Sequence, residues 1–591
     1  EQGTCRRNAR SWCCDVGRYP AVPRVFGRCQ AVDLLARFVQ AGARRVNAPK
    51  VASDLTQRLA CGTGGAPVQT GIMVLPSPSI TRGYAGEPCP GRFNIARYCL
   101  AEAARATPDK VALIVVSDAD APLDAAEQRR YGELDRAVRS VAAGLLAEGF
   151  RPGERLMIRM PNTSDYALMF FGALAAGLVP LPSSSQLTSS EADFLLEDSA
   201  SAAVAIAPGM EIVSPDHVRI LDAETIDRLK THEPLADYAD TGANDPAFLV
   251  YTSGTSGRPK GVLHAHRSAW GRRPMYKGWY GIERGDTVLH AGAFNWTYTL
   301  GVGLTDPWAN GATTVLYNGE KDVGVWPKLM ERTGATLFAA VPTLYRQILK
   351  YCDLSGYDLS SLRHGLTAGE ALSPSLLSQW RETTGKELYE ALGMSECSTY
   401  VSTGPGMEIR PGSPGKPQPG RCVAALPADG GTEPLAAGET GLLAVHRSDP
   451  GLMLGYWRRP EEEAEVYRGE WFVGGDLASF DDDGYMWYEG RADDLMNAMG
   501  YRVSPQEVEM VLAAHPLVQE VAVTELRVRD DVSVVAAFVV PREGSTPDAA
   551  EMLAWAAERL AAYKCPREIV FVDSLPRTAN GKVTRRELAR P

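Results

Sequence analysis

From about residue 93 the chain alternates short apolar runs with stretches of helical periodicity, and this alternation limits its fold more than any other feature. KVALIVV (110–116), RLMIRM (155–160) and AVAIA (203–207) predict buried strands. Between them, ELDRAVRSVAAGLLAEG (133–149) and DYALMFFGALAAG (165–177) carry the three-to-four-residue spacing of helices. A second set follows in ATTVLY (312–317), ATLFAAV (335–341) and KELYEAL (386–392), with a helix predicted over PTLYRQILKYC. Strands and helices in alternation predict α/β layers on largely parallel sheets, in which ligands gather at strand ends.

The rest of the chain is of a different kind. Residues 405–490 are rich in Gly, Pro and Asp, and DDDGY (481–485) reads as a hairpin turn, so a β-rich piece is expected there. After GRADD (490–494) about 100 residues read as a separate α+β segment. Its strands are expected near 519–526, 532–540 and 568–573, with a helix over DAAEMLAWAAERLAAYK (548–564). At 591 residues and 45% hydrophobic content the chain can bury large cores, and a net charge of -11 gives a nucleic-acid partner little electrostatic support. The longest apolar helix, YALMFFGALAAGLV (166–179), is too short to span a bilayer, so no membrane association is expected.

Residues 1–72 stand apart. They hold ten Arg, one Lys and four acids, five of the eleven cysteines (Cys5, Cys13, Cys14, Cys29, Cys61), and no methionine before Met73. An Arg-rich, acid-poor leader suggests an organelle transit peptide, but serines are few and cysteines many. No C-x-x-C pair or histidine cluster supports zinc. The expected division is therefore 1–72 as a leader or upstream translation outside the core, 73–490 as a large N-terminal domain, and 491–591 as a small C-terminal domain. Six scattered cysteines after Met73 suit a reducing cytoplasm.

The strand candidate AFLV (247–250) runs into YTSGTSGRPKG (251–261). Gly254 and Gly257 permit unusual backbone angles, Thr252, Ser253, Thr255 and Ser256 offer hydroxyls, and Lys260 supplies a positive charge, as a polyphosphate would require. Loops of this composition also serve as flexible connectors. The Walker pattern G-x-x-x-x-G-K-[ST] is not met, because Lys260 is flanked by Pro259 and Gly261.

Three further stretches stand in a telling order: YEALGMSE (389–396), the run from GEWFVGGDLASF to GYRVSPQEVE (469–509), and LPRTANGKVTRREL (575–588). With the loop they closely resemble the acyl-adenylate-forming superfamily, over about residues 93–590. The resemblance implies a large N-terminal domain of layered parallel sheets with a β-rich subdomain, and a small mobile α+β C-terminal domain. It also implies ATP, Mg2+ and coenzyme A. An acid would attack the α phosphate of ATP, pyrophosphate would leave, and the acyl-AMP would pass its acyl group to a thiol.

By the same resemblance Thr255 and the loop around it clasp the outer phosphates, Glu396 binds magnesium, and Asp476 and Arg491 meet the ribose. Ala368, Gly369, Glu370 and Ala371 match the adenine turn, with Gly393, Met394 and Ser395 beside it, and Leu392 stands where an aromatic often stacks on adenine. Lys582 would bridge the carboxylate and the α phosphate in the first half-reaction, and Arg502 would reach the ATP phosphates. Gly500 and Tyr501 would line the path of the CoA pantetheine, and Asp493 would be the pivot. Outside its motif each of these reads as an ordinary residue: Glu396 a surface acid at a helix start, Lys582 a solvated lysine, Asp493 a turn aspartate.

The segment AFNWTYTLG (293–301) and VPTLYRQIL (341–349) resemble the benzoate-CoA ligase group, while NAMGYR (497–502) is close to the medium-chain type. Trp296, Tyr298, Thr299, Val341 and Ala368 are the candidates for an apolar and aromatic acyl pocket, with core packing as the other reading of each. The expected function is a carboxylic acid–CoA ligase for an aromatic or medium-chain acid. The alternative is an adenylating enzyme that loads a carrier-protein thiol, made less attractive because no carrier domain follows residue 591. An inactive scaffold is disfavoured by the presence of Lys582, Glu396, Asp476 and Thr255. A homodimer is left open.

Overall fold

The apolar runs become the strands of two parallel sheets. In the computed structural model, residues 83–591 are described apart from 211, 213–216, 253–258, 296, 321, 493–495, 499–500, 530–531, 561–563, 578–582 and 589–591. For 497, 498, 501, 502, 527–529, 532, 533 and 586 the backbone alone is described. Residues 1–82, among them the stretch 1–72 expected to be a leader and Met73, lie outside these residues.

The larger sheet has nine strands. Its six central strands are parallel and lie side by side in the order Glu387–Met394, His364–Ala368, Leu337–Ala340, Thr287–His290, Thr313–Tyr317 and Val111–Val116. Antiparallel strands close both edges, Glu127–Arg130 at one and Ser398–Ser402 followed by Lys416–Pro417 at the other. The second sheet has four parallel strands, in the order Val179–Ser183, Arg155–Arg159, Ser201–Ile206 and Arg219–Leu221.

Helices cover these sheets because their apolar positions recur at helical spacing. On the Tyr131–Ala147 helix, Tyr131, Leu134, Val138, Val141 and Leu145 are all buried. The neighbouring Ser164–Ala175 helix buries every residue except Asp165, so it is a core helix twelve residues long, as its length in the sequence implied. No helix among the described residues is long and apolar enough to cross a membrane. Each fully buried Val, Leu or Phe side chain contributes roughly 1.5–3 kcal/mol relative to exposure.

The Gly- and Pro-rich region forms a five-stranded antiparallel sheet, in which DDDGY joins Trp471–Phe480 to Met486–Arg491 as the expected hairpin. Pro246–Thr252, Lys260–Ala265 and Gly455–Tyr456 make a further antiparallel sheet. Near the C-terminus, Val518–Arg529 and Val532–Pro541 pair antiparallel, Glu568–Phe571 adds in parallel, and Val508, Leu512, Val523, Val539 and Met552 share one core.

One expected element is shorter than its pattern. The helix proposed for 548–564 runs only over Ala549–Ala557 and gives way to a turn at Glu558. On it only Met552 and Ala556 are buried, and intrinsic propensity is a weak prior where packing stops. The six cysteines among the described residues are all unbonded.

Candidate active site

The site is built where three hairpins and the ends of parallel strands come together. Asp476 and Arg491 are cross-strand partners in the Trp471–Phe480/Met486–Arg491 hairpin. Their side chains stand 3.6 Å apart, Arg491 also donates to the Gly474 carbonyl at 3.1 Å, and the Tyr488 hydroxyl donates to Asp476 Oδ1 at 3.0 Å. Between them Gly475 has φ +82°, and a Cβ there would lie 3.2 Å from the Arg491 guanidinium. The backbone angle favours glycine, and any side chain there would have to displace the guanidinium slightly.

Glu396 stands in the tight turn joining Glu387–Met394 to Ser398–Ser402, so it is at a strand hairpin and not the helix start considered above. The Tyr456 hydroxyl donates to its Oε1 at 2.7 Å. Desolvation raises the carboxyl above the usual glutamate value, the Tyr456 hydrogen bond works against that, and the charges of Asp476 and Arg491 act in opposite senses. The acid of the first hairpin and the Asp476/Arg491 pair of the second thus share one electrostatic environment.

A third hairpin joins them. Thr252 and Lys260 are paired at the base of the glycine-rich loop. Tyr251 donates to Asp198 at 2.6 Å and Arg459 pairs with the same carboxylate at 2.9 Å, which anchors that base. Lys260 meets Glu462 at 2.6 Å and lies 5.2 Å from the centre of the Tyr456 ring. Further along the Lys260–Ala265 strand, buried His264 donates through Nε2 to the Ser395 carbonyl at 2.8 Å and stacks on Phe248. Burial drives its pKa down to about 4, so the ring is neutral near pH 7, and the carbonyl acceptor places its proton on Nε2.

The adenine-turn candidates lie at the end of the His364–Ala368 strand. Gly369 has φ +93° and opens the bend, and Ala371 follows it. Glu370 Oε2 accepts from the Thr343 hydroxyl at 2.6 Å and from the Thr343 backbone N–H at 3.2 Å. The Glu370 carboxylate is therefore committed to the start of the Pro342–Tyr351 helix, next to Val341. Beneath the same bend, Glu390 accepts from the Leu372 N–H at 2.9 Å, and burial raises its carboxyl to about 7. Leu392 and Met394 pack into the apolar cluster that includes Tyr400 and Phe472, so the aliphatic side chain replacing the usual aromatic is part of that core. Gly393 lies at a register irregularity of the hairpin.

On the other side of the larger sheet's C-terminal edge the surroundings are apolar. Tyr298, Ala368, Ala339, Ala391, Val302 and Trp279 belong to one buried cluster, with Thr299 buried beside Tyr298. Behind it, Arg272 and Asp306 form a bidentate ion pair at 2.7 and 2.6 Å, to which the Tyr280 hydroxyl donates at 2.6 Å. A cavity of about 480 Å³ lies elsewhere, between the two parallel sheets, lined by Val116, Met160, Ile206, Leu329 and Arg332. None of the candidates among the described residues borders it.

Ser253, Gly254, Thr255, Ser256, Gly257, Trp296, Asp493, Gly500 and Lys582 lie outside the described residues. Tyr501 and Arg502 are placed by backbone only, in a two-stranded ribbon where Arg502 pairs with Asn497. Tyr456, His264, Thr343 and Tyr488 were not among the sequence candidates. Tyr456, in GYWRRPE, carries no local signal that it meets an acid 60 residues away.

The profile of the AMP-binding enzyme family matches residues 100–457, more than half of the chain. The chain belongs to the AMP-binding enzymes. A separate profile for the C-terminal domain of AMP-binding enzymes matches residues 507–582. An uncharacterised acyl-CoA ligase of Bacillus subtilis (strain 168) is 33% identical over 484 residues, covering 78% of this chain and 90% of the relative. The benzoate-CoA ligase of Thauera aromatica is 31% identical over 484 residues, covering 79% and 91%. Among solved structures, a benzoate CoA ligase from Burkholderia xenovorans LB400 superposes with a TM-score of 0.74 at 30% identity, over 84% of this chain and all of the other. This AMP-binding enzyme is an AMP-forming acid–thiol ligase of the acyl-CoA ligase type.

Proposed function

We propose that this enzyme joins an aromatic or medium-chain carboxylic acid to coenzyme A by way of an acyl-AMP. The observation that carries the reading is the meeting of Glu396, Asp476 and Arg491 beside the adenine-turn candidates, with the Tyr298 cluster opposite. A polar site for a nucleotide is thereby set against an apolar site for an acid.

In the first half-reaction a carboxylate oxygen bonds to the α phosphorus and the bond to pyrophosphate breaks. Asp476 accepts hydrogen bonds from the ribose hydroxyls, held in place by Tyr488 and Arg491. Glu370 acts through the bend, since its carboxylate is occupied by Thr343; the backbone of 369–371 is what adenine would meet. In the second half-reaction the CoA thiolate bonds to the acyl carbon and AMP leaves, with Gly500 and Tyr501 near the thiol's path. Lys582 serves the first step only, and Asp493 is the pivot that exchanges it for the thiol path.

No group of three or more metal-ligating side chains occurs among the described residues. A single fixed carboxylate, Glu396, nonetheless suits Mg2+, which takes most of its ligands from phosphates and water. When bound, the ion would offset phosphate charge; Tyr456 presents Glu396 to it.

The test is CoA-dependent AMP release measured over benzoates, phenylalkanoates, medium-chain acids and acetate, with each half-reaction followed separately in Lys582→Ala. The expected result is a benzoate or medium-chain acid as best substrate, with adenylation lost in the variant and thioester formation from supplied acyl-AMP retained. Acetate as the best substrate by kcat/KM would sink the assignment of the acid, and equal loss of both half-reactions would remove the role given to Lys582.

A further inference from the structure

His290 ends the third parallel strand from the adenine-turn candidates and faces the same side of the sheet as Tyr298, Ala339 and Ala368. The alternation of side chains establishes this: in register with it, Val288, Leu337, Ala339, Leu366 and Ala368 belong to the cluster that holds Tyr298. The His290 ring stands edge-on to Tyr298 with centroids 5.6 Å apart. The strands give that cluster three alanines, Ala339, Ala368 and Ala391, together with the larger Val288, Leu337, Leu366 and Tyr389.

Two facts set the state of this histidine, and buried His266 shares both, its Nδ1 accepting from the Ile95 N–H at 3.2 Å and its Nε2 unpartnered among the described residues. Its Nδ1 accepts from the Gly292 N–H at 2.9 Å, which puts the proton of the neutral ring on Nε2. That Nε2 is buried and has no hydrogen-bond partner among the described residues, while His290 as a whole is 1% exposed. Burial holds its pKa at about 4, so the ring does not gain a second proton near neutrality. A buried donor without an acceptor is costly, by about 1–3 kcal/mol, and calls for an explanation. Gly292 packs closely against the ring: a Cβ there would lie 2.6 Å from its Cε1, 3.4 Å from Nε2 and 2.7 Å from the Thr299 methyl.

We propose that His290 selects acids whose far end carries a hydrogen-bond acceptor, such as a ring hydroxyl or carbonyl oxygen, by donating its Nε2–H to that atom. The inference deepens the ligase reading above and rests on its placement of the acyl group against Tyr298. An acid lacking the acceptor leaves the donor buried and unmatched in the complex, whereas an acceptor-bearing acid satisfies it.

The experiment measures kcat/KM and direct acid binding by calorimetry for matched pairs, benzoate against 3- and 4-hydroxybenzoate and hexanoate against 6-hydroxyhexanoate. Wild type is compared with His290→Asn and His290→Gln. Asn can still accept from the Gly292 N–H but places no donor at the Nε2 position; Gln reaches that position with its amide. Wild type is expected to favour the acceptor-bearing acid by about tenfold or more, Asn to bring the ratio close to one, and Gln to keep most of it. A ratio near one in wild type, or an Asn variant that discriminates as wild type does while Gln fails, overturns the proposal and leaves His290 as an anchor for Gly292. Activation of acetate alone overturns the placement of the acid and the proposal together, whereas turnover of either pair without discrimination overturns His290 only.

Discussion

The two ends of the candidate site handle polar groups in opposite ways. At the nucleotide end polar groups are held by other polar groups of the chain: the Glu396 carboxylate by Tyr456, Asp476 by Tyr488 and Arg491, the Ser395 backbone carbonyl by His264, Glu370 by Thr343. At the acyl end the wall is apolar, and His290 carries a buried donor with no acceptor among the described residues. An end that binds one unvarying molecule can be pre-set with its carboxylates already held, although His264 Nδ1 there has no partner among the described residues. The other end must be completed by whichever acid it takes, and a donor left open there discriminates between acids.

The comparison breaks most visibly at Gly475. Gly475→Ala would force a positive φ on alanine and press a methyl toward the Arg491 guanidinium. The expected result is a rise in KM for ATP of about tenfold with the KM of the acid within twofold, read from steady-state kinetics in which each substrate is varied in turn. Equal changes in both constants would mean that the two ends are mechanically one.

A smaller effect is expected from Tyr456→Phe, which removes the hydrogen bond to Glu396 and keeps the ring beside Lys260. At about 1 kcal/mol the loss corresponds to a roughly fivefold slower adenylation, with thioester formation from supplied acyl-AMP unchanged. Single-turnover rates for the two half-reactions check it; an unaltered adenylation rate would show that Glu396 needs no such support.

The smallest effect is one of stability. Glu390 has its pKa raised to about 7 by burial, above the ordinary glutamate value of 4.5. The folded state therefore binds the proton more tightly than the unfolded state, and this contribution is full below about pH 4.5 and lost as pH rises through about 7. Glu390→Gln keeps an oxygen for the Leu372 N–H and cannot ionise. Its melting temperature is expected to match wild type near pH 5 and to exceed it by a few degrees at pH 8. A constant difference across that range would show that Glu390 does not carry the pH dependence.

How much of this was legible depends on the distance over which each feature is decided. The alternation from 110 to 392 showed the parallel layers because strand and helix periods are local, and DDDGY showed its hairpin for the same reason. YEALGMSE, GGDLA and GRADD were recognisable because each packs its backbone and side-chain requirements into a few consecutive residues. The contacts that hold those motifs were not legible. His264 and Ser395 are 131 residues apart, and Trp457 donates to the carbonyl of Asp198 across 259. The helix over 548–564 was overextended because propensity alone does not say where packing ends.

By itself the sequence determined which residues could form strands, helices and turns, where glycine was needed for a backbone angle, and which family of chemistry the motifs belong to. Tertiary structure alone decided which oxygen of Glu396 meets Tyr456, that the Glu370 carboxylate turns to Thr343, and that His290 shares a face with Tyr298. The physical reason is range: backbone preference acts over a few residues, whereas a hydrogen bond or a shared sheet face depends on register and strand order, which arise only when distant segments pack.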